Sequence, residues 1–217
     1  SIKLQVIDDN SNDENLKKIK DLINSDGIDC EIINHNKSEH KEKIAAENND
    51  ETFGNLSSLL KCFEIAKKEH SDLIYFVEDD YLHYDHSLVD MLDTYERISS
   101  QHKDEIIVCP SDYPFNYMTN EKTNILIGSR QHWRIITKML CTFMISKKTF
   151  QKHLDSFEKT CEKRHDPFEK YLNEILQKEI AISPVFSLAI HLTNVNSSYG
   201  LSPFVDYKKL WDENKIN

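Results

Sequence analysis

Three consecutive carboxylates, Glu78, Asp79 and Asp80, follow directly on the apolar run Leu73 to Val77 (LIYFV). Acids gathered at the C-terminal end of a buried strand repel one another and lose hydration. A cation removes both penalties, and oxygen donors of this kind suit Mg²⁺ or Mn²⁺. The open end of such a strand is also where α/β sheets bind ligands. A purely structural explanation exists too, since carboxylates favour the N-terminus of a following helix. A second chemical group is the segment Ser129 to Arg134 (SRQHWR), set between two strand-like runs. Arg130 or Arg134 can grip a phosphate in bidentate fashion, and Trp133 can stack on a sugar face. The plainer account is a surface hairpin with one half-buried Trp. Asp112 to Tyr117 (DYPFNY) offers an aromatic acceptor loop, with a packed turn as the default for that composition.

The elements that must position these groups are legible as alternating periodicities. Ile2 to Ile7 reads as a strand, and Asn12 or Asp13 caps a helix through Asn24 with Leu16, Ile19, Leu22 and Ile23 at helical spacing. Gly27 stops that helix before a second strand over Asp29 to Asn34. The polar stretch from His35 to Asp50 reads as a loop with at most one short helix. An amphipathic helix runs from about Asn55 to Glu69, with Leu56, Leu59, Leu60, Phe63 and Ala66 on one face. The acidic strand comes next, then a helix from about Asp85 to Ser99. Strands are expected at Glu105 to Cys109, Asn124 to Ser129, Ile135 to Ser146 and Val185 to Leu192. Helices are expected at Lys147 to Phe157 and Asp166 to Lys178, with an irregular tail from Thr193. Such alternation predicts an α/β fold with a mostly parallel central sheet flanked by helices.

The 217 residues suggest one domain, without an internal repeat or a dividing linker. A formal charge of −10 and a pI near 5.5 argue against nucleic acid as a partner, because no basic field would draw phosphates in. No apolar run approaches the roughly 18 to 20 residues of a membrane span, and no signal peptide opens the chain. The five cysteines are widely spaced and lack a CxxC pair, so neither a zinc site nor a disulfide framework is indicated. A cytoplasmic protein, free or at the cytosolic face of a membrane, is the expectation. Nothing speaks to its oligomeric state.

Three separated signatures resemble the nucleotide-sugar glycosyltransferases of the GT-A fold, with family 2 the closest in pattern. Val6 to Ser11 (VIDDNS) is similar to the strand-ending V-D-D-x-S of that family, where an acid reads the nucleotide base. Phe53-Gly54-Asn55 and its helix lead into Phe76 to Asp80 (FVEDD), like the family's helix and D-x-D-like strand end. Ser187 to His191 (SLAIH) is similar to a C-terminal segment that returns a histidine to the metal in several such enzymes. The likeness covers most of the chain and is sharp at these three places. It implies a Rossmann-like single catalytic domain, with residues 1–100 as the nucleotide-sugar half and 101–217 as the acceptor half. In the family a further strand and helix precede the V-D-D-x-S strand. Ser1 and Ile2 already belong to what corresponds to the second strand, so an N-terminal strand and helix are expected to be lacking.

Under this resemblance Asp80 and His191 hold Mn²⁺ or Mg²⁺, and the ion carries the diphosphate of a nucleotide-diphosphate sugar. Glu78 touches the ribose or supports the site, and Asp79 contacts the metal through water. Asp8 or Asp9 reads the base, although an Asx turn into a helix cap also explains both. Asn55 joins the nucleotide site or simply caps its helix. Asp166, before Pro167, matches the acid at the head of a late helix that acts as general base toward a glycan hydroxyl; it equally fits an N-cap before a proline at the first helical position. Glu162 and His165 are weaker substitutes. Two other classes remain open: a nucleotidyltransferase acting on sugar phosphates, and a non-catalytic nucleotide- or carbohydrate-binding module.

Overall fold

The computed structural model describes residues 2–44, 47, 49–118, 120–197 and 200–215. The chain forms two compact units, one of Ser1–Glu69 with Asp155–Phe168 and the other of His70–Leu154 with Glu169–Asn217.

The first unit is a parallel strand pair with helices. β1 (Leu4–Asp8) pairs with β2 (Cys30–Asn34) in register from Leu4↔Cys30 to Asp8↔Asn34. α1 (Asp13–Asp26) connects them. Its start is set by the Asn12 side chain, which accepts from the Asn15 N–H at 2.8 Å, and by Asp13 and Glu14 facing the positive end of the helix dipole. Its stop is Gly27, whose φ of 63° is the left-handed cap that glycine adopts without a Cβ penalty. α2 (Asp50–Lys68) begins five residues ahead of the sequence expectation, because Asn49 and not Asn55 supplies the cap, accepting from the Thr52 N–H at 2.9 Å. Its buried face runs through Leu56, Leu60, Phe63 and Ala66. Phe63 meets Phe157 edge-on with ring centroids 5.1 Å apart.

The second unit carries a six-stranded sheet in the order β3-β8-β5-β9-β7-β6, made of β3 (Leu73–Phe76), β5 (Ile106–Val108), β6 (Ile125–Ile127), β7 (His132–Ile135), β8 (Phe143–Ser146) and β9 (Ile180–Pro184). Only β5–β9 is a parallel pair; the others are antiparallel. The chain is thus α/β, but the sheet expected to be mostly parallel is mostly antiparallel. One misread segment explains much of this. The apolar run from Ile135 to Ser146 is not one long strand: it ends β7, crosses as a loop that exposes Thr137 and Lys138, and starts again as β8 on the far side of the β5–β9 pair. β9 was not expected, whereas the last strand expected at Val185 to Leu192 is present in shortened form over Ala189–His191. Ile106, Ile107 and Val108 are fully buried, as a central strand covered on both faces requires. α3 (Ser87–His102) packs on β5, and Met91, Ile98, Trp133, Met144, Ile182 and Leu188 close the core around it. Gly128 allows the fully buried Trp133 to lie close, since a Cβ there would overlap the indole Nε1 and Cδ1.

A short antiparallel ribbon completes this unit. β4 (Tyr81–His83) pairs with β10 (Ala189–His191), with Tyr81 opposite His191. α4 (Lys147–Lys152) and α5 (Leu154–Thr160) divide the single helix expected there. α6 (Lys170–Ile175) is shorter than predicted, and the tail contains α7 (Leu192–Val195) and α8 (Tyr207–Glu213) where irregular chain was expected. Among the described residues no helix is long and apolar enough to cross a membrane.

Candidate functional site

The ribbon brings together two groups separated by 111 residues in sequence. His191 Nε2 lies 2.7 Å from Asp80 Oδ2, and the Leu192 N–H donates to the Asp80 carbonyl at 2.9 Å. The imidazole stacks on Tyr81 at 4.8 Å and 10°. Tyr81 is in turn fixed by a 2.6 Å bond between its hydroxyl and that of the buried Tyr113. His191 is thus held at both the backbone and the ring, while its Nδ1 is buried without a hydrogen-bond partner.

Glu78 sits just before this pair. Its N–H donates to Thr142 Oγ1 at 3.0 Å, and the Thr142 hydroxyl reaches one carboxylate oxygen at 3.4 Å. Burial first, and then the charges of Asp80 and Glu169, push Glu78 up to about 7. Glu169 is raised by burial as well, with His191 acting in the opposite sense. These mutual influences bring four groups into one neighbourhood: Glu78, Asp80, Glu169 and His191. Asp79 is exposed beside them. Among the described residues, no group of three or more His, Cys, Asp or Glu side chains is arranged as a ready metal cage.

Glu169 was missed by the sequence reading. The helix expected from Asp166 begins at Lys170, and Glu169 occupies the residue before it. Asp166 is exposed, belongs to the first unit, and does not cap α6. The available signal was the apolar spacing of Leu172, Ile175 and Leu176, which supports less than two helical turns.

The basic and aromatic segment does not form the wall expected of it. Trp133 is fully buried and cannot stack on a ligand. Arg134 is buried and directed at its own unit: its Nη2 lies 3.5 Å from Asp112 Oδ1, donates to the Tyr117 hydroxyl at 2.5 Å, and its guanidinium covers the Tyr117 ring at 4.2 Å. Arg130 is exposed and pairs with Asp93 at 3.5 Å. Burial raises Asp112 to about 6 despite Tyr117, Arg134 and Ser202. The Asp112–Tyr117 loop is therefore a packed turn.

In the first unit, Asp8 is buried and accepts from the Ser11 N–H at 3.2 Å, so the turn after β1 already uses it. Asp9 is exposed and takes a bond from Asn10 Nδ2 at 3.2 Å. Asn55 is exposed inside α2 and caps nothing. Beyond the ends of β1 and β2 lies a cavity of about 740 Å³ bordered by Asn10, Asn34 to Ser38, Lys41 and Phe53. Such crevices at the carboxyl ends of parallel strands are the usual ligand positions of α/β folds. Behind it runs a buried relay. His35 Nε2 lies 2.9 Å from Ser57 Oγ, His40 Nδ1 lies 2.8 Å from the same hydroxyl, and His40 Nε2 lies 3.2 Å from Glu64 Oε2. Nothing in the loop's composition announced this relay, because His35 and His40 lie 22 and 17 residues from Ser57.

No protein-family model matches the chain, and no curated protein matches it.

Proposed function

We propose that the chain is a metal-dependent glycosyltransferase of the GT-A type that moves a sugar from a nucleotide-diphosphate sugar to a glycan hydroxyl. The observation carrying this reading is the convergence of Asp80 and His191 beside the half-buried carboxylates Glu78 and Glu169. Structural need alone does not account for acids gathered where burial already disfavours their charge.

The donor set fits Mg²⁺ or Mn²⁺. Asp80 and His191 would hold the ion, exchanging their mutual hydrogen bond for it, and most positions would stay open to phosphate oxygens and water. When bound, such an ion neutralises charge that develops on a departing diphosphate. The chain's own groups do the remainder. Glu169, whose affinity for a proton is raised by burial, is suited to take the proton of the attacking hydroxyl as general base. This gives Glu169 the role that the sequence suggested for Asp166. Glu78, raised to about 7, keeps its proton for part of the time at neutral pH and can donate to a ribose or phosphate oxygen. Tyr81 and Thr142 hold these groups in place. The free state of the five cysteines agrees with a reducing, cytoplasmic setting for such an enzyme.

The test is incubation with a panel of nucleotide sugars, with and without Mn²⁺. Thermal stabilisation by a nucleoside diphosphate with Mn²⁺ is expected and should vanish in Asp80→Ala. Stabilisation by triphosphates alone would replace this reading with a nucleotidyltransferase, and full Mn²⁺-dependent turnover in Asp80→Ala would remove that residue from the site.

A further inference from the structure

Phe204 stands where folding alone would not put a phenylalanine. It is 86% exposed, more than any other large apolar side chain among the described residues. Its φ of 68° lies in the left-handed region, which is rare for a bulky residue. Among the described residues, the other non-glycine positions in that region have local explanations. Asparagine tolerates it at Asn10, and Lys103 is the left-handed cap of α3. Phe204 is the third residue of a turn in which the Val205 N–H donates to the Ser202 carbonyl at 3.4 Å, with Pro203 at the second position. Proline there and a positive φ next is the type II pattern, whose third position ordinarily takes glycine or asparagine. Strain of this kind persists where the surrounding structure holds it, and it gathers at ligand sites.

The turn is held from both sides. The buried Ser202 hydroxyl donates to the Asp112 carbonyl, and the Asp206 side chain caps α8 by accepting from the Lys209 N–H at 3.1 Å. The Phe204 ring meets Phe186, itself 49% exposed, with centroids 5.3 Å apart and planes at 59°. Phe186 is anchored as firmly. Its N–H donates to Gln131 Oε1 at 3.1 Å, and Gln131 Nε2 donates to the buried Asp90 at 3.0 Å. Through Ser187 and Leu188 it leads into β10, which ends at His191 of the candidate site. Ser187 and His191 share a gap of only about 10 Å³ with Leu201, Ser202 and Val205, so the turn packs against the segment that carries His191. The result is a fixed aromatic corner, open to solvent, beside that segment.

We propose that Phe186 and Phe204 form an acceptor subsite that stacks a neutral pyranose ring of a glycan. The choice of a sugar rests on the glycosyl-transfer reading above. Phenyl faces carry negative charge density that attracts the weakly positive C–H groups of a pyranose face, and the contact buries apolar surface on both. Two rings in one corner fit a single sugar, whereas a protein partner takes about 800 Å² per side. A formal charge of −10 disfavours the anionic surface of a membrane. Fixing the rings before binding removes an ordering cost that mobile side chains would carry. In this arrangement Phe204 supplies the stacking face and Phe186 the adjoining wall.

The experiment uses the full chain. Saturation-transfer NMR with cellobiose, maltose, lactose and chitobiose, without donor or metal, should show transfer to the C–H protons of one sugar face. Phe204→Gly should abolish that signal while leaving the melting temperature unchanged or higher, because glycine suits the left-handed position. Phe204→Trp should restore the signal. In a transfer assay, Phe204→Gly should raise the acceptor KM about tenfold, the loss of one aromatic stack, with the donor KM unmoved. No saturation transfer to any of these disaccharides, or an undiminished signal in Phe204→Gly, would overturn the proposal. A lower melting temperature in that variant would also overturn it and make the ring a structural group. Binding to phosphatidylglycerol vesicles that disappears in Phe204→Gly would replace the sugar with a membrane. A chain with the Phe204-dependent signal that transfers no sugar from any nucleotide sugar keeps this subsite and loses the enzyme. One that transfers sugar with an unchanged acceptor KM in Phe204→Gly keeps the enzyme and loses the subsite.

Discussion

Replacing Glu78 by Gln should stabilise the second unit at alkaline pH and leave it unchanged in acid. Burial and the nearby Asp80 and Glu169 charges raise the native pKa from 4.5 to about 7. The native state therefore holds a proton more tightly than the unfolded chain, and stability falls as pH rises through that window. Above about pH 7 the penalty is complete. A shift from 4.5 to about 7, at about 1.4 kcal/mol per unit, sets an upper figure of about 3.5 kcal/mol; part of the group still meets water, which lowers it. Glutamine keeps an oxygen to accept from Thr142 and never ionises. The assay is urea unfolding followed by tryptophan fluorescence, which reports this unit because Trp133 and Trp211 both lie in it. Parent and variant should match near pH 4 and separate by pH 8, with the variant above. Mn²⁺ with a nucleoside diphosphate should narrow the gap, since a cation beside Glu78 favours its charged form. Parallel curves from pH 4 to 8 would show that the carboxylate is not crowded and would undo the electrostatic reasoning.

Two further outcomes are expected. Arg134→Met leaves the Asp112 side chain, which is 0% exposed, without its cation and should cost about 3–5 kcal/mol. Adding Asp112→Asn should recover most of that in urea unfolding, whereas strict additivity would mean the pair is not coupled. Glu169→Gln should lower sugar transfer by about 10²–10⁴-fold while diphosphate binding is retained, and Asp166→Asn should leave the rate near the parent value. The reverse pattern in a single-turnover assay would return the base to Asp166.

Local chemistry made the first half of the fold legible. Asn12 and Gly27 bracket α1 because a side-chain acceptor and a left-handed residue are written directly in the sequence. The second half was hidden by its burial. From Ile135 to Ser146 the run is apolar apart from Thr137-Lys138 and Thr142, and that short exposed Thr-Lys pair, which falls in the crossing loop, was too slight a mark to break one long strand into β7 and β8. Pair direction was lost with it, since antiparallel and parallel partners of a covered strand look alike in sequence. Within the candidate site, the acids stood out as a run, and His191 through its resemblance. Trp133 and Arg134 misled because their types suit ligands equally well as cores: Gly128 makes room for the indole, and Asp112 consumes the guanidinium. Glu169 and the His35 relay were invisible because each depends on partners distant in sequence.

Burial alone does not separate a working group from a structural one. Asp112 and Glu78 are both carboxylates raised by burial. Asp112 has Arg134 and Tyr117 turned toward it, so the fold answers its charge from within. Glu78 faces further acids and a single threonine hydroxyl, and no cation of the chain appears among its influences. His35 repeats the contrast within one ring: its Nε2 lies 2.9 Å from Ser57 Oγ, and its Nδ1 is buried without a hydrogen-bond partner. Folding free energy selects against both arrangements. What they share is a polar group that its own unit leaves unanswered, a crowded carboxylate in one and an unpaired ring nitrogen in the other.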